Sequence, residues 1–447
     1  MRKTLIATLV LGAFLSASVQ AADLLQIYKE ALLNDPVYGG ARAAMTAGEE
    51  KVTQGRAGLL PALGVTGSYL SNDLNAYAPN GVPQLGGAEN FSTHYPTSTY
   101  TVSLSQPLFR MANWEQYQIG LLSAATTEAQ FAQAQEDLIL RVAQAYFDVL
   151  TAQDALTSIQ ANKVAITEQL ASAKRNFEVG TSTITDSNEA QSRYDLSVAQ
   201  ELAAQNDLEI KRTALLQIIG KPPGELAPLR AGIKLNLPEP AKMDKWVESA
   251  ENENFNVVGQ QIGVEIAKRT IKANRAGHYP TLDLIAQRVH TNQGGSNILL
   301  PESITNQTTA GVQWNMPIFS GFAVDSKVKE AVALEDKAEQ DLESARRSAA
   351  QAARQSFLGV SSGLAQVAAY EAAEVSSQSS LASNLLGYQV GIRINIDVLN
   401  AQQQLYTTRQ TLAKARYDTI VNGLRLKAAA GSLKENDLLA INGLLAH

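Results

Sequence analysis

The sequence predicts an α+β membrane protein whose protomer is internally duplicated, and three observations predict it. Beyond the first 21 residues no apolar run reaches the roughly 18 residues a spanning helix requires, although 45% of the residues are hydrophobic. Several stretches alternate apolar and polar residues with period two, as strands with one apolar face do. Two proline-free stretches, each of roughly 65 residues, repeat apolar residues every three or four positions and so predict helical rods about 100 Å long. If this chain crosses a membrane, it does so with strands.

The N-terminus reads MRKTLIATLVLGAFLSASVQA, with Arg2 and Lys3 before the apolar run Leu5–Leu15 and small residues up to Ala21. This is the pattern of a secretory signal peptide over residues 1–21, cut after Ala21. No cysteine occurs in 447 residues, which excludes disulfides, thiolate metal sites, cysteine nucleophiles and a lipidated cysteine anchor. A net charge of -6 and a pI near 5.5, with no clustered basic patch, argue against a nucleic-acid partner.

The rest of the chain is written twice. Leu59–Tyr69 (LLPALGVTGSY) answers His278–Arg288 (HYPTLDLIAQR), and Ser105–Phe109 (SQPLF) answers Asn315–Phe319 (NMPIF). Val179, Gly180 and Asp186 match Val390, Gly391 and Asp397, and LLQIIG ending at Gly220 matches LKAAAG ending at Gly431. The order is kept throughout, so the chain is a duplication. Residues 22–219 form the first repeat (helix, two strands, long helix, kink, helix) and 243–431 the second. Residues 220–242, broken by prolines, form the linker, and 432–447 a C-terminal segment.

Within the first repeat, Leu63, Val65 and Tyr69 alternate with Gly64, Thr66 and Ser68, and Tyr100, Val102 and Leu104 alternate with Thr101 and Ser103. The second repeats this with Leu282 and Leu284, then Ala310, Val312, Trp314 and Met316. Each run is about 10 to 13 residues, near the length of a tilted spanning strand. The polar connectors Asn72–Thr97 and Asn292–Gln307 are expected to be exposed loops. The long helices are expected from about Ala112 to Phe177 and from Ala323 to Gln389. In the second, Ala331, Leu334, Ala338, Leu342, Ala345, Ala349 and Ala352 trace a coiled-coil seam of small residues.

Four strands cannot close a barrel, because the smallest spanning barrels have about 8 and open strand edges in hydrocarbon are costly. The chain must therefore pair with copies of itself. Two copies give eight strands and a filled interior; three give twelve, enough for a water-filled lumen, with helices enough to continue it as a hollow cylinder.

The signal peptide, the two copies of strand pair plus long helix, the prolines before PLF and PIF, the phrases VGTSTITD and YQVGIRINIDVL, and the closing NGLRLKAAAGSLKENDLLAINGLL resemble the TolC family of outer-membrane efflux and secretion channels. The likeness covers essentially the whole mature chain. It implies a homotrimer whose 12-stranded β-barrel in the Gram-negative outer membrane continues as a long periplasmic α-helical barrel of coiled coils. It further implies a periplasmic adaptor and an inner-membrane RND, ABC or MFS transporter as partners, no cofactor, and a cargo of small molecules such as drugs, detergents and bile salts, or of proteins.

Each kink follows a long helix and precedes its returning partner, which puts it about 100 Å from the strands, at the tip of the tunnel. Gly180 and Gly391 stop the helices and the β-branched residues after them resist continuation. Asp186 and Asp397 stand where a carboxylate suits exposed backbone donors, so helix capping is one role open to them. Arg393 occupies the place that Ser182 holds in the first kink, so the two kinks are unequal. By resemblance, Thr185 and Asp186 in one coiled coil and Tyr388 and Arg393 in the other form a latch closing the entrance. Exposed pairs of this kind contribute only about 0.2–1 kcal/mol each, so a partner can open it in an iris-like movement. Three copies of Asp397 would form a cation-favouring ring. The family has a second aspartate one turn on, where this chain has Asn400, so weaker cation binding is expected. Gly180 and Gly391 also match positions the family uses as adaptor-docking grooves.

An enzyme is not expected. Gly359–Gly363 (GVSSG) fits a nucleophile-elbow string but falls inside a predicted helix, and the four histidines show no metal-ligand spacing. The competing reading is a coiled-coil envelope spacer that conducts nothing.

Overall fold

The computed structural model describes residues 21–83, 87–295 and 301–446. The expected signal peptide, apart from Ala21, lies outside the described residues. In chain order the elements are α1 (Leu24–Asn34), α2 (Pro36–Ala57), β1 (Ala62–Val82), β2 (Ala88–Phe109), α3 (Met111–Glu178), α4 (Ile184–Ile219), α5 (Met243–Glu253), α6 (Phe255–Arg275), β3 (Thr281–Gln293), β4 (Ser303–Asn315), α7 (Ala323–Gln389), α8 (Asn395–Ala429) and α9 (Glu435–Asn442). They fall into two compact units. A sheet unit comprises residues 42–131 and 255–345; a helical unit comprises residues 1–41, 132–254 and 346–447.

In the sheet unit the four strands lie in the order β1-β2-β3-β4, each antiparallel to the next. The register places Leu63 opposite Leu104, Leu104 opposite Ala286 and Ala286 opposite Ala310; Val65 faces Val102, and Leu284 faces Val312. These residues of all four strands therefore share one face, with Leu70, Leu74, Ile285 and Val289 on the other. Leu63, Val65, Val102 and Val312 remain exposed, each more than two-fifths accessible. Exposure of so much aligned apolar surface identifies a face built for contact with something other than water.

Most of the connector Asn72–Thr97 is strand, not loop; residues 84–86 lie outside the description. β1 and β2 run on through it, paired from Asn72 with Tyr95 to Tyr77 with Asn90, so that β1 and β2 span 21 and 22 residues against 13 each for β3 and β4. Backbone ladder bonds do not need an apolar face, which is why alternation alone ended these strands too early. The second connector is likewise partly strand, with β3 reaching Gln293 and β4 starting at Ser303; residues 296–300 lie outside the description. Where β2 hands over to α3, Arg110 donates two hydrogen bonds to buried Asp283 of β3, at 2.8 and 2.6 Å. This is the bidentate geometry that fixes direction as well as distance.

The helical unit holds the most deeply buried side chains: Tyr146, Phe147, Leu138 and Leu150 of α3, with Leu24, Ile27, Leu215, Ile219, Leu426, Leu438 and Leu445 from elements around it. The Tyr146 hydroxyl lies 2.8 Å from Ala227 O and 3.2 Å from Ala22 O, so one donor shared between them ties the segment at Ala22 and the 220–242 linker to the helix. The C-terminal segment joins them, since Arg230 donates to Gly443 O and Leu445 O and Leu229 bridges Leu445. Glu136 is buried on α3 and accepts the Leu433 N–H at 3.1 Å; burial pushes its carboxyl up to about 8, against the backbone bond that pulls the other way. Asp35 shows the opposite balance, with burial outweighed by Arg141, so that its carboxyl is held below the usual range.

Both long helices match their expected bounds to within a residue, because neither contains a proline to break it. The seam of α7 is shifted. Ala331, Ala345 and Ala349 are buried, but Leu334 is 53% exposed and Ala353 takes the place expected of Ala352. From there burial continues at Val360 and Val367, a seven-residue step. A 3.5-residue seam drifts around a 3.6-residue helix, and the choice between two adjacent alanines is decided by the neighbour rather than by α7 itself. That neighbour also explains GVSSG, which lies within α7. A Cβ on Gly359 would sit 3.0 Å from Asn422 Nδ2, and one on Gly363 would collide with Thr419 Oγ1, so the two glycines let α8 approach closely.

Candidate functional site: the paired helix kinks

Both kinks lie in the helical unit and end their long helices in the same way. After α3, Gly180 adopts φ 76, the Thr181 N–H reaches back to Asn176 O and the Gly180 N–H to Phe177 O. After α7, Gly391 adopts φ 75, the Ile392 N–H reaches Gly387 O and the Gly391 N–H reaches Tyr388 O. A left-handed residue closed by a six-to-one bond is the Schellman stop, for which glycine is the unstrained choice.

The returning helices begin differently. Thr183 caps α4: its Oγ1 accepts the Asp186 N–H at 3.3 Å, and Asp186 Oδ2 accepts the Thr183 N–H at 3.2 Å, a complete capping box. Ser182 adds a 2.6 Å bond to the same carboxylate. That bond, with those from Thr183, lowers the Asp186 pKa from its ordinary value despite some burial. At α8 the cap residue is Ile394, which offers no side-chain bond, and Asp397 instead stands 3.6 Å from Arg393.

Two hydrogen bonds join the kinks within one chain. Asn176 Nδ2 donates to the Tyr388 hydroxyl at 3.3 Å, and Arg193 donates to Asn400 Oδ1 at 2.9 Å. Below them Ile166, Leu170 and Ala173 of α3 pack with Ala190 of α4 and Leu399 of α8. Of the residues singled out in the sequence, Tyr388 and Asn400 thus bridge the two coiled coils. Asp186 is committed to its own turn, Arg393 lies beside Asp397, and Thr185 is exposed. Among the described residues of one chain, no bond joins Asp186 to Arg393 or Tyr388. Asn176, Arg193 and Gly387 had no signal in the sequence read alone. Gly387 matters because a Cβ there would lie 2.7 Å from Arg393 Cγ, so its absence lets the arginine stem lie across the last turn of α7.

In the sheet unit, His94 of β2 pairs with Asp73 of β1 at 2.6 Å, and its second ring nitrogen lies 3.1 Å from Ser71 Oγ. The His94 and Asp73 side chains are 63% and 74% exposed, so this trio sits on a solvated ladder rather than in a pocket.

The whole arrangement has relatives. The family model for outer membrane efflux proteins matches residues 27–221 and 246–432. The chain belongs to the outer membrane efflux protein family. It is 34% identical to outer membrane protein TolC of Escherichia coli K12, over 98% of this chain and 88% of that protein. It is 31% identical to the proteases secretion protein PrtF of Dickeya chrysanthemi, over 98% and 94%. Solved structures share the fold: VceC from Vibrio cholerae with a TM-score of 0.74 at 17% identity, covering 92% of this chain and 96% of that one, and the Campylobacter jejuni CmeC outer membrane channel with 0.76 at 14%, covering 94% and 89%. Family membership makes this chain an outer-membrane protein of the efflux and secretion channel class. Its fold, mostly helical with one small antiparallel sheet, is the one those channels share.

Proposed function

We propose that three copies of this chain assemble into a channel-tunnel that carries small molecules or proteins from the periplasm to the exterior when docked to an adaptor and an inner-membrane pump. The observation that carries this reading is the sheet: four strands that turn apolar residues to a common face, with two edges, β1 and β4, that pair with no further strand among the described residues. Such edges cannot stand in lipid, and joining β4 of one copy to β1 of the next gives a closed twelve-stranded barrel. On this reading residues 22–219 and 243–431 are two repeats that each supply one strand pair and one coiled coil.

The kinks then form the periplasmic entrance. Thr185 and Asp186 meet Tyr388 and Arg393 of a neighbouring coiled coil, a latch of weak exposed pairs that an adaptor seated along the Gly180 and Gly391 grooves opens. Asp397 supplies a carboxylate ring at the constriction. Asn400, uncharged and engaged by Arg193, adds little cation affinity. Planar-bilayer recordings test the assignment. The purified trimer is expected to give small, cation-selective openings that grow in Arg393→Ser. Absence of conductance from both proteins would favour a non-conducting envelope spacer instead.

A further inference from the structure

α3 and α8 are joined by amide contacts at heptad spacing. Gln410 donates to Ala155 O at 3.4 Å, and seven residues further along each helix Asn162 donates to Gln403 Oε1 at 3.2 Å. One more heptad step reaches Gln169 on α3, opposite Ile396 and its neighbour Asn395 on α8. Here the ladder stops. Gln169 Oε1 is buried without a partner, and Asn395, only 1% exposed, has no partner for either Nδ2 or Oδ1.

Asn162 Oδ1, on the second rung, is also buried without a partner, but its Nδ2 already holds Gln403; Gln169 and Asn395 hold no rung, and the amide of one complements the other. Asn395 lies one turn before Leu399 and on the same face of α8, and Leu399 shares one buried cluster with Leu170, the residue next to Gln169. The first kink shows what the second gave up. There the polar residue, Thr183, takes the cap position and the apolar one, Ile184, is 51% exposed. In the second kink the order is reversed: Ile394 takes the cap position, 61% exposed, and Asn395 is inside. A buried polar group without a partner disfavours the conformation that contains it, on the order of tenfold in population.

We infer that Gln169 and Asn395 form the third rung of this ladder when α8 shifts toward α3, and that the rung is a clasp holding the entrance open. The direction follows from the faces of α8. The Arg393 and Asp397 side chains, 58% and 34% exposed, flank buried Asn395 two residues to either side, and a two-residue step along α8 carries Asp397 roughly to the opposite face from Asn395. Drawing Asn395 onto α3 of its own chain withdraws that exposed side from a neighbouring protomer. The clasp thus opposes the latch, and the inference rests on the gate reading of the kinks.

The test uses the full-length trimer in planar bilayers with Arg393→Ser as the opened background. Adding Gln169→Leu or Asn395→Leu is expected to shorten open dwell times about tenfold, and the two together are expected to do no more than either alone. The chain has no cysteine, so the pair Gln169→Cys and Asn395→Cys supplies a second readout that needs no wild-type stability. With added oxidant it should cross-link several-fold faster in the Arg393→Ser background than without it. Additive or absent effects on dwell time, or equal cross-linking in both backgrounds, overturn the clasp. If Arg393→Ser itself fails to enlarge the openings, it is the gate reading that falls.

Discussion

The two kinks of this chain end a helix identically and begin the next one differently. Gly180 and Gly391 have the same backbone and the same reach-back bonds, whereas α4 starts with a full capping box and α8 starts with isoleucine. The two stops are equal, and the difference lies in the residues just beyond them. In the first kink the turn engages one carboxylate oxygen three times: the Ser182 hydroxyl, the Thr183 hydroxyl and the Thr183 N–H all donate to Asp186 Oδ2. In the second, Arg393 and Asp397 hold each other loosely at 3.6 Å. One kink holds its acidic residue in its own turn and the other leaves a charged pair loosely held, the division of labour that the proposed gate would use.

The largest expected effect tests the half of the comparison that is symmetric. Gly180→Ala and Gly391→Ala should each cost about 1–2 kcal/mol, because an L side chain is strained at positive φ. No neighbouring atom lies within 4 Å of the added Cβ at either position, so the loss is backbone strain alone. Hydrogen exchange of the kink peptides should speed up equally in both. A clear difference would mean that the stops are not equivalent.

Next in size is the cap. Asp186→Ala should loosen the start of α4 by about 1 kcal/mol, as loss of a capping box does. Asp397→Ala should loosen α8 by about 0.2–0.5 kcal/mol, the value of an exposed pair. The same contrast carries a pH signature. The Asp186 pKa is lowered in the folded chain, so its contribution is complete above the ordinary aspartate value and is lost as pH falls through the lowered one. Exchange at the α4 start should therefore accelerate in acid, and Asp186→Asn should abolish that acceleration. An acid response that survives the substitution would assign it to another carboxylate.

How much of this was legible in the sequence depends on what each feature needs. The long helices and the glycine stops were readable because proline and glycine act locally, on their own backbone. The full length of β1 and β2 was not, since beyond Asn72 the ladder continues without an apolar face to reveal it. Nor were Asn176, Arg193 and Gly387. Each acts on a residue of another helix or across a turn, and their chemistry is visible only once α3, α4, α7 and α8 are side by side. The seam of α7 slipped from Ala352 to Ala353 for the same reason: a run of alanines offers two adjacent candidates, and α8 selects one.

A gain of stability sharpens the comparison most. Ile394 has φ -100 and ψ 161, close to the -87 and 158 of Thr183, and Asp397 stands three residues on as Asp186 does. Ile394→Thr therefore places a hydroxyl where the Asp397 N–H can donate to it and where the Asp397 carboxylate can turn back to the residue 394 N–H. The new box should stabilise the first turn of α8 by about 0.5–1 kcal/mol, seen as slower exchange over residues 395–398. It should also draw Asp397 away from Arg393 and leave the guanidinium free to reach a neighbouring coiled coil, so channel openings should become rarer. Slower exchange with unchanged openings would mean that Arg393 is not held back by Asp397. Unchanged exchange would mean that the second kink differs from the first by more than its cap, and that buried Asn395 already sets the path of the chain into α8.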